Sequence, residues 1–181
     1  MIALPRPDRL LTIDEYLALG ETEYGYTELQ EGRILLSPTP SIDHSVLTSE
    51  LSCVLGPQLP PGYEVLCGID IDLELVPDTD PGWSRRPDLV VLHRSARRRV
   101  RVEGGAVRAS EVVLAIEVVS HDSRRTDAVI KRQDYADAGI PHYWMVDPEQ
   151  PYTVLSCSLA EHTVEVDVAD LLGAAEIPAK G

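Results

Sequence analysis

The sequence predicts an α/β fold in a single domain. Three observations predict it. Helical and strand-type apolar spacings alternate along the chain. The run E-V-V-L-A-I-E-V-V at Glu111–Val119 is apolar enough for a strand buried on both faces. No internal repeat or linker divides the 181 residues, a length suited to one domain with a sizeable core. The domain is expected over 1–181, with an N-terminal helix and hairpin at 11–36 and a core at 41–168.

Each element has its own signal. Thr12-Ile13-Asp14-Glu15 reads as a capping box that opens a short helix, ending near Gly20. Tyr26 to Leu36 reads as a hairpin broken at Glu31-Gly32. Ser41 or Asp43 caps a second helix with Val46, Leu47, Leu51, Val54 and Leu55 at helical spacing, stopped by Gly56-Pro57. Tyr63 to Val76 reads as one long strand, with Ile69, Ile71, Leu73 and Leu75 opposed to Asp70, Asp72 and Glu74. Pro87 to Leu92 is a short apolar strand led by Asp88, Arg94 to Arg108 is a basic loop, and Glu111–Val119 is the buried strand. A capping loop at Ser120 to Ser123 precedes a helix from Arg124 to Ala138, ended by Gly139 and Pro141. His142 to Asp147 is another strand, and Tyr152 to Val168 supplies two more.

Composition excludes several classes. Hydrophobic residues are 44% and charged residues 25%, which is ordinary globular usage and neither disordered nor collagen-like. No apolar run is long enough for a membrane span, and residues 1–11 hold Arg6, Arg9 and two prolines without a continuous apolar stretch, so no secretory leader is expected. Cys53, Cys67 and Cys157 lack metal-type spacing and suggest a reducing cytoplasm. His93, His121, His142 and His162 are too dispersed for a zinc site. The net charge of −14 opposes nucleic acid, but it is uneven. Between Arg85 and Arg132 there are 12 basic and six acidic residues, so this stretch is +6 and the remainder −20. The stretch is either a solvated arginine-rich surface or a basic rim around a site.

Glu117 carries the chemistry. A lone carboxylate inside an apolar strand costs several kcal/mol unless a cation or hydrogen-bond partner holds it. One partner is an arginine such as Arg86. The other is a divalent cation shared with Asp88, which leads the preceding apolar strand; oxygen ligands with open water positions suit Mg²⁺. The chain has 14 arginines and two lysines, and Lys131 stands four residues from both Asp127 and Tyr135 on one helix face.

These pieces also form a resemblance. Pro87-Asp88 followed by Glu117-Val118-Val119 in a buried strand resembles the PD-(D/E)XK nuclease signature. Tyr26-Thr-Glu-Leu-Gln-Glu-Gly-Arg-Ile, Ser37-Pro-Thr-Pro-Ser with His44, Arg86-Pro-Asp-Leu-Val-Val, Ile116-Glu-Val-Val-Ser, Lys131-Arg-Gln-Asp-Tyr-Ala-Asp-Ala-Gly-Ile-Pro and Tyr143-Trp-Met-Val-Asp resemble the Uma-type family of bacterial restriction endonucleases. The resemblance runs from about Leu11 to Glu165. It implies a restriction-endonuclease-like mixed sheet flanked by helices and Mg²⁺- or Mn²⁺-dependent hydrolysis of DNA phosphodiesters. By the same resemblance Asp88 and Glu117 are catalytic metal ligands. Lys131 replaces the lysine expected at Val119, Glu28 or Glu31 is the upstream acid, and His44 is the helix-start histidine. A nuclease-fold binding or regulatory module with weak catalysis is the alternative. A homodimer is expected by analogy with enzymes that cut both strands of a duplex.

Overall fold

The computed structural model describes residues 9–20, 25–37, 39–119, 126–147, 153–158 and 163–167. Helix α1 (Ile13–Leu19) opens on the expected capping box: Glu15 N–H donates to Thr12 Oγ1 at 3.3 Å, and Thr12 N–H donates to Glu15 Oε2 at 3.1 Å. Strands β1 (Thr27–Gln30) and β2 (Arg33–Leu36) pair antiparallel across Glu31-Gly32. Those two residues have φ of 49° and 70°, the left-handed pair that a two-residue hairpin turn requires. Gly32 has a second reason to lack a side chain, since a Cβ there would lie 2.8 Å from the Leu11 backbone nitrogen.

Helix α2 (Ile42–Gln58) is capped by Ser41, whose hydroxyl accepts from His44 N–H, and it buries Leu47, Leu51 and Leu55. Val46 faces outward, contrary to its place in the expected apolar stripe. The expected stop at Gly56-Pro57 is also corrected, because the helix runs on to Gln58. In a last turn the missing proline N–H removes one hydrogen bond and leaves nothing beyond it to break.

The expected long strand at Tyr63 to Val76 is two strands. β3 (Tyr63–Cys67) and β4 (Ile71–Asp72) are separated at Gly68, whose φ of 55° turns the chain out of the first sheet and into a second. β5 (Ser84–Arg85) and β6 (Leu89–His93) follow. The expected basic loop is instead largely a helix, α3 (Arg94–Glu103). Its arginines are good helix formers, and Ala96 and Val100, four apart, pack on the core.

β7 (Val107–Arg108) and β8 (Val112–Val118) come next, then a π-helical turn Thr126–Lys131 that leads into α4 (Arg132–Asp137). β9 (His142–Asp147), β10 (Thr153–Ser158) and β11 (Thr163–Asp167) complete the described chain. The expected capping loop at Ser120 to Ser123, and Arg124 and Arg125 with it, lie outside the described residues.

Two mixed sheets result. The larger has the order β11-β10-β9-β8-β6-β3 and is antiparallel except where β8 pairs with β9. A parallel pair needs a crossover, and α4 lies on that crossover. The smaller sheet has the order β2-β1-β5-β4-β7. Side chains alternate along β8. Leu114, Ile116 and Val118 pack with Leu47, Leu51 and Leu55 of α2 on one face. Ala115 packs with Ala96, Tyr135 and Ile140 on the other. Glu117 therefore points to the face covered by α4. Among the described residues no helix is long and apolar enough to cross a membrane.

Arg99 fastens α3. Its guanidinium takes both oxygens of Glu111 at 2.7 Å and the Ala106 carbonyl at 2.7 Å. The hydrogen bonds from Arg99 hold the Glu111 carboxyl below its ordinary range. A native value below the unfolded one gives stability that is complete above the unfolded value and is lost as pH falls through the native one. Glu111→Gln is expected to cost no more than about 1 kcal/mol near neutral pH after solvent screening. In urea unfolding the difference from wild type should vanish in acid.

Candidate active site

The site lies where the two sheets meet at the C-terminal end of β8. Glu117 is buried there, and its Oε1 accepts from Lys131 Nζ at 3.0 Å and Tyr135 Oη at 2.7 Å. Lys131 ends the π-helical turn and Tyr135 lies one turn further on, so both side chains descend onto the same carboxylate. A single π turn rotates the residues that follow it relative to a plain α-helix, a device common at functional sites. Burial, followed by the negative charge of Glu117, pushes the Tyr135 hydroxyl well above its ordinary range, which keeps it a donor. The side chain of Asp127, expected on the same helix face, lies outside the described residues.

Lys131 Nζ also approaches Glu28 Oε1 at 3.1 Å. Glu28 comes from β1 of the smaller sheet and is buried. Of the two candidates for the upstream acid, the structure brings Glu28 into the cluster, whereas Glu31 is exposed in the hairpin turn. Asp88 precedes β6 by one residue. Leu89 pairs with Ile116, so Asp88 stands across from Glu117 on the neighbouring strand. Its Oδ2 accepts the Val118 N–H at 2.7 Å and lies 3.0 Å from His44 Nε2. His44 reaches it from the first turn of α2, so all the expected residues except Glu31 converge.

Sequence reasoning missed Arg85. It is fully buried, and it donates to Glu28 Oε2 at 3.1 Å, to Asp134 Oδ2 through Nε at 2.8 Å, and to Gln30 Oε1 at 2.9 Å. Burial lowers its basicity, and the carboxylates of Glu28 and Asp134 more than reverse that. Asp134 in turn sits above the ordinary carboxylate range because of burial, although Arg85 pulls it down. In place of the buried ion pair weighed between Glu117 and Arg86, Lys131 pairs with Glu117 and Glu28, and Arg85 pairs with Glu28 and Asp134.

Glu28, Glu117 and Asp134 share the cations of Arg85 and Lys131 among these buried groups. Asp88, half-buried at the rim, adds another negative charge, and its Oδ1 accepts no hydrogen bond from a described residue. Arg85, Arg86 and Lys131 of the basic stretch belong to the site, whereas the arginines of α3 do not. α3 starts at the opposite end of β6, about 17 Å from Asp88 at ~3.4 Å per residue. Its arginines are a remote surface and not the rim of this site.

The mixed sheet flanked by helices, with an aspartate, a buried glutamate and a lysine at one sheet end, has a restriction-endonuclease-like fold. The chain belongs to the Uma2 family, described as "Putative restriction endonuclease", whose family model matches residues 13–171. A crystal structure of "a putative nuclease belonging to DUF820 from Anabaena variabilis ATCC 29413" is similar, with a TM-score of 0.67 and 25% identity over 87% of this chain and 84% of that one. No curated protein matches.

Proposed function

We propose that the chain is a divalent-metal-dependent endonuclease that hydrolyses DNA phosphodiester bonds, with Mg²⁺ or Mn²⁺ held by Asp88 and Glu117. The observation that carries this is the Lys131 ammonium set between Glu117 and Glu28, with Asp88 across from Glu117 on the adjoining strand. The donors fit a hard cation. They are carboxylate oxygens, the ligand type that such ions prefer. Two carboxylates with room for water are what Mg²⁺ accepts, whereas a structural zinc site needs four side chains.

When bound, such a cation activates a water and offsets charge on the phosphate. The chain's own residues do the rest. Tyr135 and Lys131 both donate to Glu117 Oε1, which fixes the carboxylate's rotamer. Val118 N–H and His44 fix Asp88. Glu28, locked by Arg85, holds Lys131 in place so that its positive charge can serve a non-bridging phosphate oxygen. The test is cleavage of plasmid and oligonucleotide DNA with Mg²⁺ or Mn²⁺. Activity should appear with either ion and disappear with EDTA. Metal-independent cleavage contradicts the proposal, and DNA binding without cleavage points to the weakly catalytic binding module.

A further inference from the structure

We propose that Tyr26 and Arg86 form a platform for one unstacked nucleobase of a single-stranded nucleic acid, next to the phosphodiester served by Asp88 and Glu117; this rests on the nuclease function proposed above. The Arg86 guanidinium carbon lies 4.3 Å from the centroid of the Tyr26 ring, and Tyr26 is 48% exposed. An aromatic face paired with arginine binds bases without regard to sequence, because every base has a π-face.

The pair is tied to the site by backbone. Arg86 N–H donates to Glu28 Oε1 at 3.1 Å, the oxygen that Lys131 also approaches. Arg86 Nε donates to the Gly68 carbonyl at 2.6 Å, and Gly68 N–H donates to the Asp88 carbonyl at 3.0 Å. On the other side, Ser37 N–H donates to the Tyr26 carbonyl at 2.9 Å and continues the hairpin ladder. The platform thus stands two residues from Glu28 and two from Asp88 along the chain, with Arg86 bonded directly to Glu28.

The surroundings favour a single strand over a duplex. A duplex is gripped by rows of cations on its phosphates, and its base faces are hidden in the stack. The exposed arginine row of α3, Arg94, Arg98 and Arg101, lies at the other end of β6, and the whole chain carries −14. Alongside the exposed Arg132, several residues next to the site in sequence are apolar and exposed. Leu36 follows β1 across the hairpin, Ile42 lies two residues before His44 and is 83% exposed, and Val129 and Ile130 directly precede Lys131. Unstacked bases can cover such surfaces; a sugar-phosphate backbone cannot.

The experiment uses the full chain in EDTA with a single-stranded oligothymidylate that carries one 2-aminopurine, and the same strand annealed to its complement. The single strand should bind at least about tenfold more tightly, with quenching of the 2-aminopurine. Tyr26→Ala should weaken single-strand binding roughly 5- to 150-fold, the range of one lost base–aromatic stack. Tyr26→Phe should restore it, and Arg98→Ala should leave it unchanged. With metal present, Tyr26→Ala should raise KM on single strands and leave kcat in place. Equal or tighter binding of duplex, binding of neither, no effect of Tyr26→Ala in a protein that melts normally, or a loss in Arg98→Ala overturns the platform. Quenching that depends on Tyr26 in a chain that cleaves nothing would remove the nuclease function and keep the platform. Cleavage with unchanged KM in Tyr26→Ala would do the reverse.

Discussion

Glu117→Gln is expected to lower metal-dependent cleavage by about 10³-fold or more, the loss of several kcal/mol of transition-state stabilisation. The substitution isolates charge from shape. Glutamine keeps an oxygen that can accept from Tyr135 and Lys131, now 2.7 and 3.0 Å from Oε1, so the buried contacts survive. It removes the negative charge that a cation requires. Glu117→Ala would confuse the two, because it also leaves Lys131 and Tyr135 without their acceptor. Comparison of far-ultraviolet circular dichroism and melting temperature with wild type verifies that the fold is kept. A folded Glu117→Gln protein that cleaves at the wild-type rate places the chemistry elsewhere.

Arg85→Met is expected to be the most destabilising of the single substitutions considered, by about 3–5 kcal/mol. The side chain is 1% exposed and serves Glu28, Gln30 and Asp134 at once. Methionine fills a similar apolar volume but leaves buried Asp134 without its cation and Glu28 with Lys131 alone. A loss of that size is a large part of the ~5–15 kcal/mol that holds a domain together. It corresponds to a fall in Tm of roughly 6–20 °C for a chain of this length. The deficit should shrink in acid. Burial already holds Asp134 above its ordinary value in the presence of Arg85, so its ionisation costs native stability as pH rises through the native value. Without Arg85 that cost grows, and protonation at low pH removes it. Denaturant titrations at neutral pH and near pH 4 measure the difference; an equal deficit at both would mean that packing and not charge is responsible.

Arg85 also shows where sequence stops being informative. In extended backbone, neighbouring residues point to opposite sides, so of Arg85 and Arg86 one must go inward and the other toward the rim. Nothing in Arg85-Arg86-Pro87-Asp88 says which, and the natural guess attaches Arg86 to Glu117. Asp134 carries no signal at all, since an aspartate in R-Q-D-Y reads as helix surface. By contrast, Glu117 stands out because an acid in an apolar strand demands a partner. Lys131 stands out because this chain otherwise writes its positive charges almost entirely as arginine. The capping box at Thr12, the Glu31-Gly32 turn and the strand at Glu111–Val119 are legible because each depends on local chemistry. The errors arise where tertiary contact decides. Alternation through Tyr63 to Val76 hides the break at Gly68, because both halves are strands and only their sheets differ. Five arginines in ten residues mask the two small apolar positions that make α3 a helix.

The most direct measurement of the central claim is anomalous diffraction from crystals of the chain soaked in Mn²⁺. The account predicts one strong manganese peak held by the carboxylates of Asp88 and Glu117, with Lys131 still beside it. A map with no peak there, or with manganese bound only among the exposed acids of the 70–80 segment, would contradict it.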